Sequence, residues 1–316
     1  MTGPKLSRVL ALGGAHIDRR GQVSGRYVPA ASNPGTMRED VGGGAFNALR
    51  CAVQRGVSAS MLSVRGGDAA GERVAQAIEA AGISDLSAVF LDRTTPSYTA
   101  ILDGDGELIA GFADMGLYEL AFPKQMKRAK VREAIGEADA VLSDANLPTT
   151  ALERLAELAS GLPIFAIAIS PAKAVRLIPV LGRLSLVFMN RRECAAITGL
   201  DSGAAENALV AALRQAGMKG GVITSGKGPV LGFDEAGAFI VEPPAPRHVA
   251  DVTGAGDALA GATAAAMLRG QELRSALREG VAAAMLAIES AAAVPAFTAA
   301  SFANALALVP RAREGA

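Results

Sequence analysis

Tryptophan is absent from the 316-residue chain, and aromatic residues make up only 4% of it. Proteins that hold single-stranded nucleic acid stack bases on aromatic platforms, so this scarcity argues against that role. An excess of one charge is missing too: 31 Lys and Arg balance 31 Asp and Glu. The basic footprint that steers proteins to nucleic acid or to anionic membranes is therefore lacking. Only two cysteines occur, Cys51 and Cys194, far apart and in no metal-ligand spacing. With no secretory signal visible at the start, they are expected as reduced thiols on helices of a cytoplasmic protein. No apolar run suffices to span a bilayer; "VAAAMLAI", Val281 to Ile288, is stopped by Glu289 and reads as a buried helix. Repeats, low-complexity tracts and long charge runs are also lacking.

What is present is core material, since half of the residues are apolar. "SRVLALGGAHID" reads as a buried strand running into a glycine loop, and "GGGAFNALRCAVQRG" as a glycine turn feeding a helix that stops at Gly56. Strands and helices then alternate through "DAVLSD", a helix from Pro148, "LPIFAIAIS", "LSLVFMN", a helix from Arg191 and "GGVITSG". Such alternation predicts an α/β fold: a mostly parallel sheet covered by helices on both faces, within one domain over 1–316. Two segments break the alternation, about 19–41 and 95–112, and are assigned to a small β-sheet appendage. The second carries Asp-Gly-Asp-Gly between β-forming residues, a hairpin signal.

Gly221 to Lys227 spells G-x-x-x-x-G-K, yet the residues between the glycines are themselves a strand, and Gly228-Pro229 follows instead of Ser or Thr. A P-loop is excluded; a strand end and a turn remain. "LGGAHID" does not supply G-x-G-x-x-G after the first strand, which removes a dinucleotide-binding dehydrogenase. More informative is "DVTGAGDALAGA", Asp251 to Ala262. Small residues at a helix start expose several N–H groups, the arrangement that binds phosphate. If a phosphate chain rests on Gly254, Ala255 and Gly256, the Asp257 carboxylate stands beside the transferring phosphorus and can take the proton of an incoming alcohol. Phosphoryl transfer asks little more of a protein than positioning, charge neutralisation and such a base. The bland alternative is an ordinary helix start with an acid in its first turn.

"DVTGAGDA" resembles the C-terminal signature of the ribokinase-like kinases of the PfkB group, which phosphorylate sugars and nucleosides with ATP. "GGAHID", "GGGAFNALRCAVQRG" and "VRGGDAAGE" resemble the companion N-terminal pattern, so the likeness runs essentially from end to end. It implies a three-layer α/β/α sandwich with a β-sheet lid over the acceptor. It further implies that Asp18 and Asn47, with His16, Gly43, Tyr98 and Asn146, contact a small nucleoside or sugar. Asn190, Thr224, Gly226, Lys227 and Thr253 fall on the nucleotide side. Glu193, in "NRRE", would organise Mg²⁺ through water, and Asp251 would help to hold a monovalent cation such as K⁺. Lid sheets of such kinases pair between protomers, which implies a homodimer.

Within the family, "ASNPGTMREDVGGG", "PSYTAILDGDGELIAGFADM", "VLSDANLP" and "LPIFAIAISPAKAVRL" resemble the pseudouridine kinases. Departures accompany the likeness. His16 stands where relatives place Asn, Phe46 replaces a polar residue, Ile167-Ala168 replaces an Asp-Pro pair, and Pro229 replaces a glycine. An ATP-dependent kinase of a primary hydroxyl is the expectation, with pseudouridine first, and ribose, other nucleosides or hexoses as alternatives. A non-catalytic nucleoside or sugar sensor is the alternative from another class, motivated by Ile167 and Pro229.

Overall fold

The computed structural model describes residues 6–315. Ten strands form the central sheet, in the order Ser84–Asp85, Ser58–Leu62, Arg8–Leu12, Ala140–Asp144, Ile164–Ile167, Leu186–Asn190, Gly221–Thr224, Val230–Asp234, Gly237–Val241 and Arg313–Glu314. The strands from Ser84 through Gly221 pair in parallel, and the last three add antiparallel. The inner parallel strands are mostly apolar and buried because both of their faces are covered. Val9, Ala11, Leu142, Phe165 and Leu186 point into one core with the helices Gly44–Gln54, Ala255–Leu268 and Leu273–Ile288. Their chain neighbours Leu10, Leu12, Val141, Ile164 and Val187 point into the other, against Gly116–Gln125, Thr149–Leu158 and Glu206–Gln215. Side chains that alternate between two dry cores make a three-layer α/β/α sandwich, the predicted fold class.

A second sheet of four strands contains both segments that interrupt the alternation. Its order is Gly35–Gly42, His16–Val23, Ser97–Leu102, Leu108–Asp114. The Asp-Gly-Asp-Gly stretch closes the hairpin between its last two strands. The strand that begins at His16 starts three residues before the position at which the sequence turns polar, and so carries Asp18 into this sheet.

Helix Ala255–Leu268 is rich in Ala and Gly, and Ala258 through Ala266 are buried. Its smallness has a purpose in packing: a Cβ on Gly261 would come within 2.0 Å of the Ala48 carbonyl oxygen. The helix Gly44–Gln54 therefore lies directly on it. Both cysteines are buried on helices, and burial pushes their thiols up, Cys51 to about 12 and Cys194 to about 11. Among the described residues no helix is long and apolar enough to cross a membrane.

Candidate active site

The chain leaves Arg8–Leu12 for Ser58–Leu62 on one side and later returns with Ala140–Asp144 on the other. Beyond the carboxyl ends of two such strands an open α/β sheet leaves a crevice. Asp144 stands at this point, fully buried. One of its oxygens accepts from the amides of Gly14 and Ala45 at 2.9 Å each and from Asn146 Nδ2 at 3.0 Å; the other accepts from the Asn146 amide at 2.9 Å. Bonds from N–H donors to a carboxylate are strong ones. They tie the end of the first strand and the start of helix Gly44–Gln54 to the sheet.

Above this point lies a cleft of about 520 Å³ between sheet and lid. Helix Gly44–Gln54 starts from Gly43 and turns Asn47 into it. Across the cleft mouth, Gly254 takes a left-handed conformation, φ 79°, and starts helix Ala255–Leu268. A side chain at 254 would also meet the Ala293 carbonyl oxygen at 2.4 Å. Asp257 lies in the first turn, where amides lack intrahelical partners. The close packing of the two helices brings Asn47 Nδ2 to 2.9 Å from Asp257 Oδ2.

Burial raises the Asp257 carboxyl to about 7; the Asn47 hydrogen bond opposes the rise, the charges of Asp144 and Asp18 add to it, and Arg50 opposes it. The carboxyl nevertheless lines the cleft. It is desolvated but reachable, as a general base near neutral pH must be.

Asp18 and Tyr98 are cross-strand neighbours in the lid, and both line the cleft. His16 Nε2 lies 3.2 Å from Asp18, while its Nδ1 lies 3.1 Å from the hydroxyl of Tyr118. That buried phenol, its ionisation pushed upward mainly by burial, also meets the Ala15 amide and carbonyl at 3.1 and 3.2 Å. His16 is thus held at both ring nitrogens. On the opposite wall, Lys173 Nζ donates to Asn146 Oδ1 at 2.5 Å. Burial lowers the Lys173 pKa, against the pull of Asp144.

Asn190, Glu193, Thr224, Thr253 and Gly256 line the far part of the same cleft. "NRRE" forms a reciprocal cap: Asn190 Oδ1 accepts from the Glu193 amide at 3.0 Å, and Glu193 accepts from the Asn190 amide at 2.8 Å. Glu193 Oε1 takes Asn190 Nδ2 as well, at 2.8 Å. Cap and cleft position are compatible, and burial raises the Glu193 carboxyl. Among the described residues no three His, Cys, Asp or Glu side chains gather to ligate a metal. Mg²⁺ keeps several waters and is brought by phosphates, so this donor set fits an ion held through water near Glu193 and not a protein cage.

The remaining expected positions lie as follows. Gly226, φ 61°, and Lys227 stand in the exposed turn just past Thr224, outside the residues that line the cleft. Both oxygens of Asp251 are engaged: one by Arg20 of the lid, the other by the Thr253 amide at 2.8 Å. Asp251 thereby links the four-stranded sheet to the turn that precedes helix Ala255–Leu268. A second lid residue, Arg38, donates to the Ala291 carbonyl at 2.6 Å. Asn47, expected on acceptor hydroxyls, spends its oxygen on Arg50 at 2.6 Å and one N–H on Asp257. One N–H and one lone pair of the oxygen remain to it.

Sequence reasoning gave no role to Lys173, Tyr118 or Ile169. Ile169 sits in the cleft wall at φ 71°, a backbone state that β-branched residues seldom adopt and one that clusters at functional sites. Lys173 was visible only as part of a resemblance, and Tyr118 had no signal at all.

Residues 6–299 match the family described as pfkB family carbohydrate kinase. A pseudouridine kinase of Escherichia coli K12 is 28% identical over 273 residues, covering 85% of this chain and 87% of the relative. A carbohydrate kinase from Agrobacterium tumefaciens has a solved structure with 45% sequence identity and a TM-score of 0.85, covering 97% of this chain and 99% of that one. An Arabidopsis thaliana ribokinase complexed with ribose and ATP shares the fold at 20% identity and a TM-score of 0.83, covering 95% of this chain and 99% of that one. With its three-layer fold, its lid and a reachable carboxyl at a glycine-rich helix start, the chain belongs to the pfkB family of carbohydrate kinases, phosphotransferases that act on alcohols.

Proposed function

We propose that this chain transfers the γ-phosphoryl group of ATP to the primary hydroxyl of a nucleoside, with pseudouridine as the first candidate. One observation carries the proposal: Asp257, tuned to about 7, opens into the cleft between a polar acceptor wall and a glycine-rich helix start. Asp18 and His16 hold the ribose hydroxyls by hydrogen bonds, and Tyr98 covers the sugar from the lid. The Lys173–Asn146 pair presents donors to the carbonyls of a base, which favours a nucleoside over a bare pentose. The likeness to a pseudouridine kinase points the same way.

In the reaction the acceptor oxygen forms a bond to the γ-phosphorus while the bond from that phosphorus to the β-bridging oxygen breaks. The hydroxyl proton passes to Asp257 Oδ1, and ADP leaves. The amides at Gly254, Ala255 and Gly256 stabilise charge on the phosphoryl oxygens, helped by the positive end of the helix. Thr253, Asn190 and Thr224 line the nucleotide side, with Gly226 and Lys227 at its outer rim. Mg²⁺ neutralises phosphate charge when it is bound, with Asn190 and Glu193 ordering its waters. Lid docking through Arg20 and Arg38 excludes the water that would otherwise hydrolyse ATP. Cytoplasmic placement suits an ATP-consuming enzyme, and the exposed Met37 and Phe112 on the lid suit pairing with a second copy.

ADP release from purified protein with ATP, Mg²⁺ and a panel of nucleosides and sugars tests this. Turnover is expected with pseudouridine above ribose. Preference for ribose would move the acceptor class to sugars. Thermal stabilisation by a nucleoside without any turnover would identify a sensor.

A further inference from the structure

Arg50 lies one turn beyond Asn47 on the same helix, outside the residues that line the cleft. Its guanidinium sits over the fully buried Phe46 ring, 4.6 Å from the centroid. Among the described residues its one hydrogen-bond acceptor is Asn47 Oδ1, at 2.6 Å, and its Nε is buried without a partner. Burial holds its pKa below the ordinary arginine value, opposed by the charges of Asp257, Asp40 and Asp18, in that order. For stability alone this is a poor place for a guanidinium: a desolvated charge with one unpaired donor. The contact it does make is directional.

An asparagine amide has two ends that exchange on a flip, one that only accepts and one that only donates. Arginine has donors alone. The guanidinium therefore dictates that Asn47 Oδ1 faces it and that Nδ2 faces Asp257. A flipped amide would set N–H groups against the guanidinium and an oxygen against the carboxylate. With Nδ2 committed to Asp257 Oδ2, Oδ1 is left as the free oxygen. It stands 3.5 Å from where a Cβ on Gly44 would lie, at a glycine that keeps this side of the cleft open.

We propose that Arg50 is a positioning residue for phosphoryl transfer, acting through Asn47 to fix which oxygen of Asp257 receives the alcohol's proton. The proposal rests on the kinase reading of the cleft. Phe46, a departure from the family pattern, supplies the ring against which the guanidinium is held. Groups facing Asp257 come from every side: Asn47 and Arg50 from their helix, His16 and Asp18 from the lid strand, and Asp144 from the central sheet. Lys173 lies across the cleft, and Asp40 lies near Arg50. The helix Leu273–Ile288 adds none, because its Glu279 is tied to Arg55 and Arg269 at the other end of the Asn47 helix.

The test compares Arg50→Met, which keeps an unbranched apolar stem without charge or donor, with Arg50→Lys, which keeps both charge and donor. The pH profile of kcat/KM is recorded for each, with melting temperature alongside. Arg50→Met is expected to lower kcat roughly 10- to 100-fold, less than the roughly 10²–10⁴-fold of a whole general base because the carboxylate itself remains, while changing acceptor KM less than about threefold. The ascending midpoint of the profile moves to higher pH, because a positive charge and a fixed donor no longer favour the carboxylate. Arg50→Lys recovers most of both effects, and in an Asn47→Leu background Arg50→Met moves both by clearly less, leaving only the direct effect of its charge on Asp257. A His16→Asn control removes the neighbouring imidazole. An unmoved midpoint in Arg50→Met, or a shift of equal size in the Asn47→Leu background, overturns the proposal while the wild-type kinase activity stands. Arg50→Gln, neutral but still a donor, carries the comparison if the Met variant does not fold. Absence of wild-type turnover with every acceptor overturns the kinase reading itself.

Discussion

Replacing Asp257 by Asn is expected to do two opposite things. The amide cannot accept the alcohol's proton, so kcat should fall by several orders of magnitude: the roughly 10²–10⁴ lost with a general base, plus misorientation of the nucleophile. Stability should rise, because the carboxyl is held from its ordinary 3.8 up to about 7, mainly by burial. Each tenfold change in ionisation is about 1.4 kcal/mol, so a rise over about three such steps sets an upper bound near 4 kcal/mol. The sign follows from linkage. Below about pH 4 the group is neutral in folded and unfolded chains alike and costs nothing. Between about 4 and 7 the unfolded chain ionises first, so the cost grows with pH, and above 7 it is fully present. The stabilisation by Asn should therefore be near zero at pH 4, rise through pH 6 and level off by pH 8. Even half of the bound amounts to several degrees in Tm for a chain of this size. Urea or thermal unfolding of both proteins at pH 5, 6, 7 and 8, paired with ADP release, is the assay. A gain independent of pH, or turnover within tenfold of wild type, would refute the assignment.

Other outcomes can be checked alongside. Asp144→Ala strips a buried acceptor from four N–H donors, and should cost about 3–5 kcal/mol in urea unfolding together with nearly all activity, since Gly14 and Ala45 lose their common anchor. Arg20→Ala should raise the acceptor KM by loosening the lid and should make turnover sensitive to exchange of choline for K⁺, whereas the wild type should respond little to that exchange. Cys51 and Cys194, buried with thiols pushed up to about 12 and about 11, should react with a thiol reagent at pH 8 only on unfolding. Fast labelling of the native protein would contradict their packing.

Much of the site was legible wherever one short stretch contains all of the physics. The small-residue helix start before Asp257 and the Asp-Gly-Asp-Gly hairpin each follow from backbone sterics and local hydrogen bonds. The alternation of apolar strands with helices carried the layered fold, because side-chain period and burial are properties of each element. Less legible were contacts between elements. Gly226 and Lys227 match a motif in sequence, yet they stand in an exposed turn outside the residues that line the cleft.

The sequence by itself determined the elements, the carboxyl at a glycine-rich helix start and the family whose motifs surround it. Only the tertiary structure decided the pairings. Asn47 and Asp257 are 210 positions apart, and Arg20 and Asp251 are 231 apart. No local pattern encodes such contacts: they arise because strand order puts Asp144 at the switch point and because helix Gly44–Gln54 packs onto Gly261 closely enough for an amide to reach a carboxylate. That same packing desolvates Asp257, and desolvation, a property of the assembled interior and not of a residue type, gives the acid the proton affinity of a base at neutral pH.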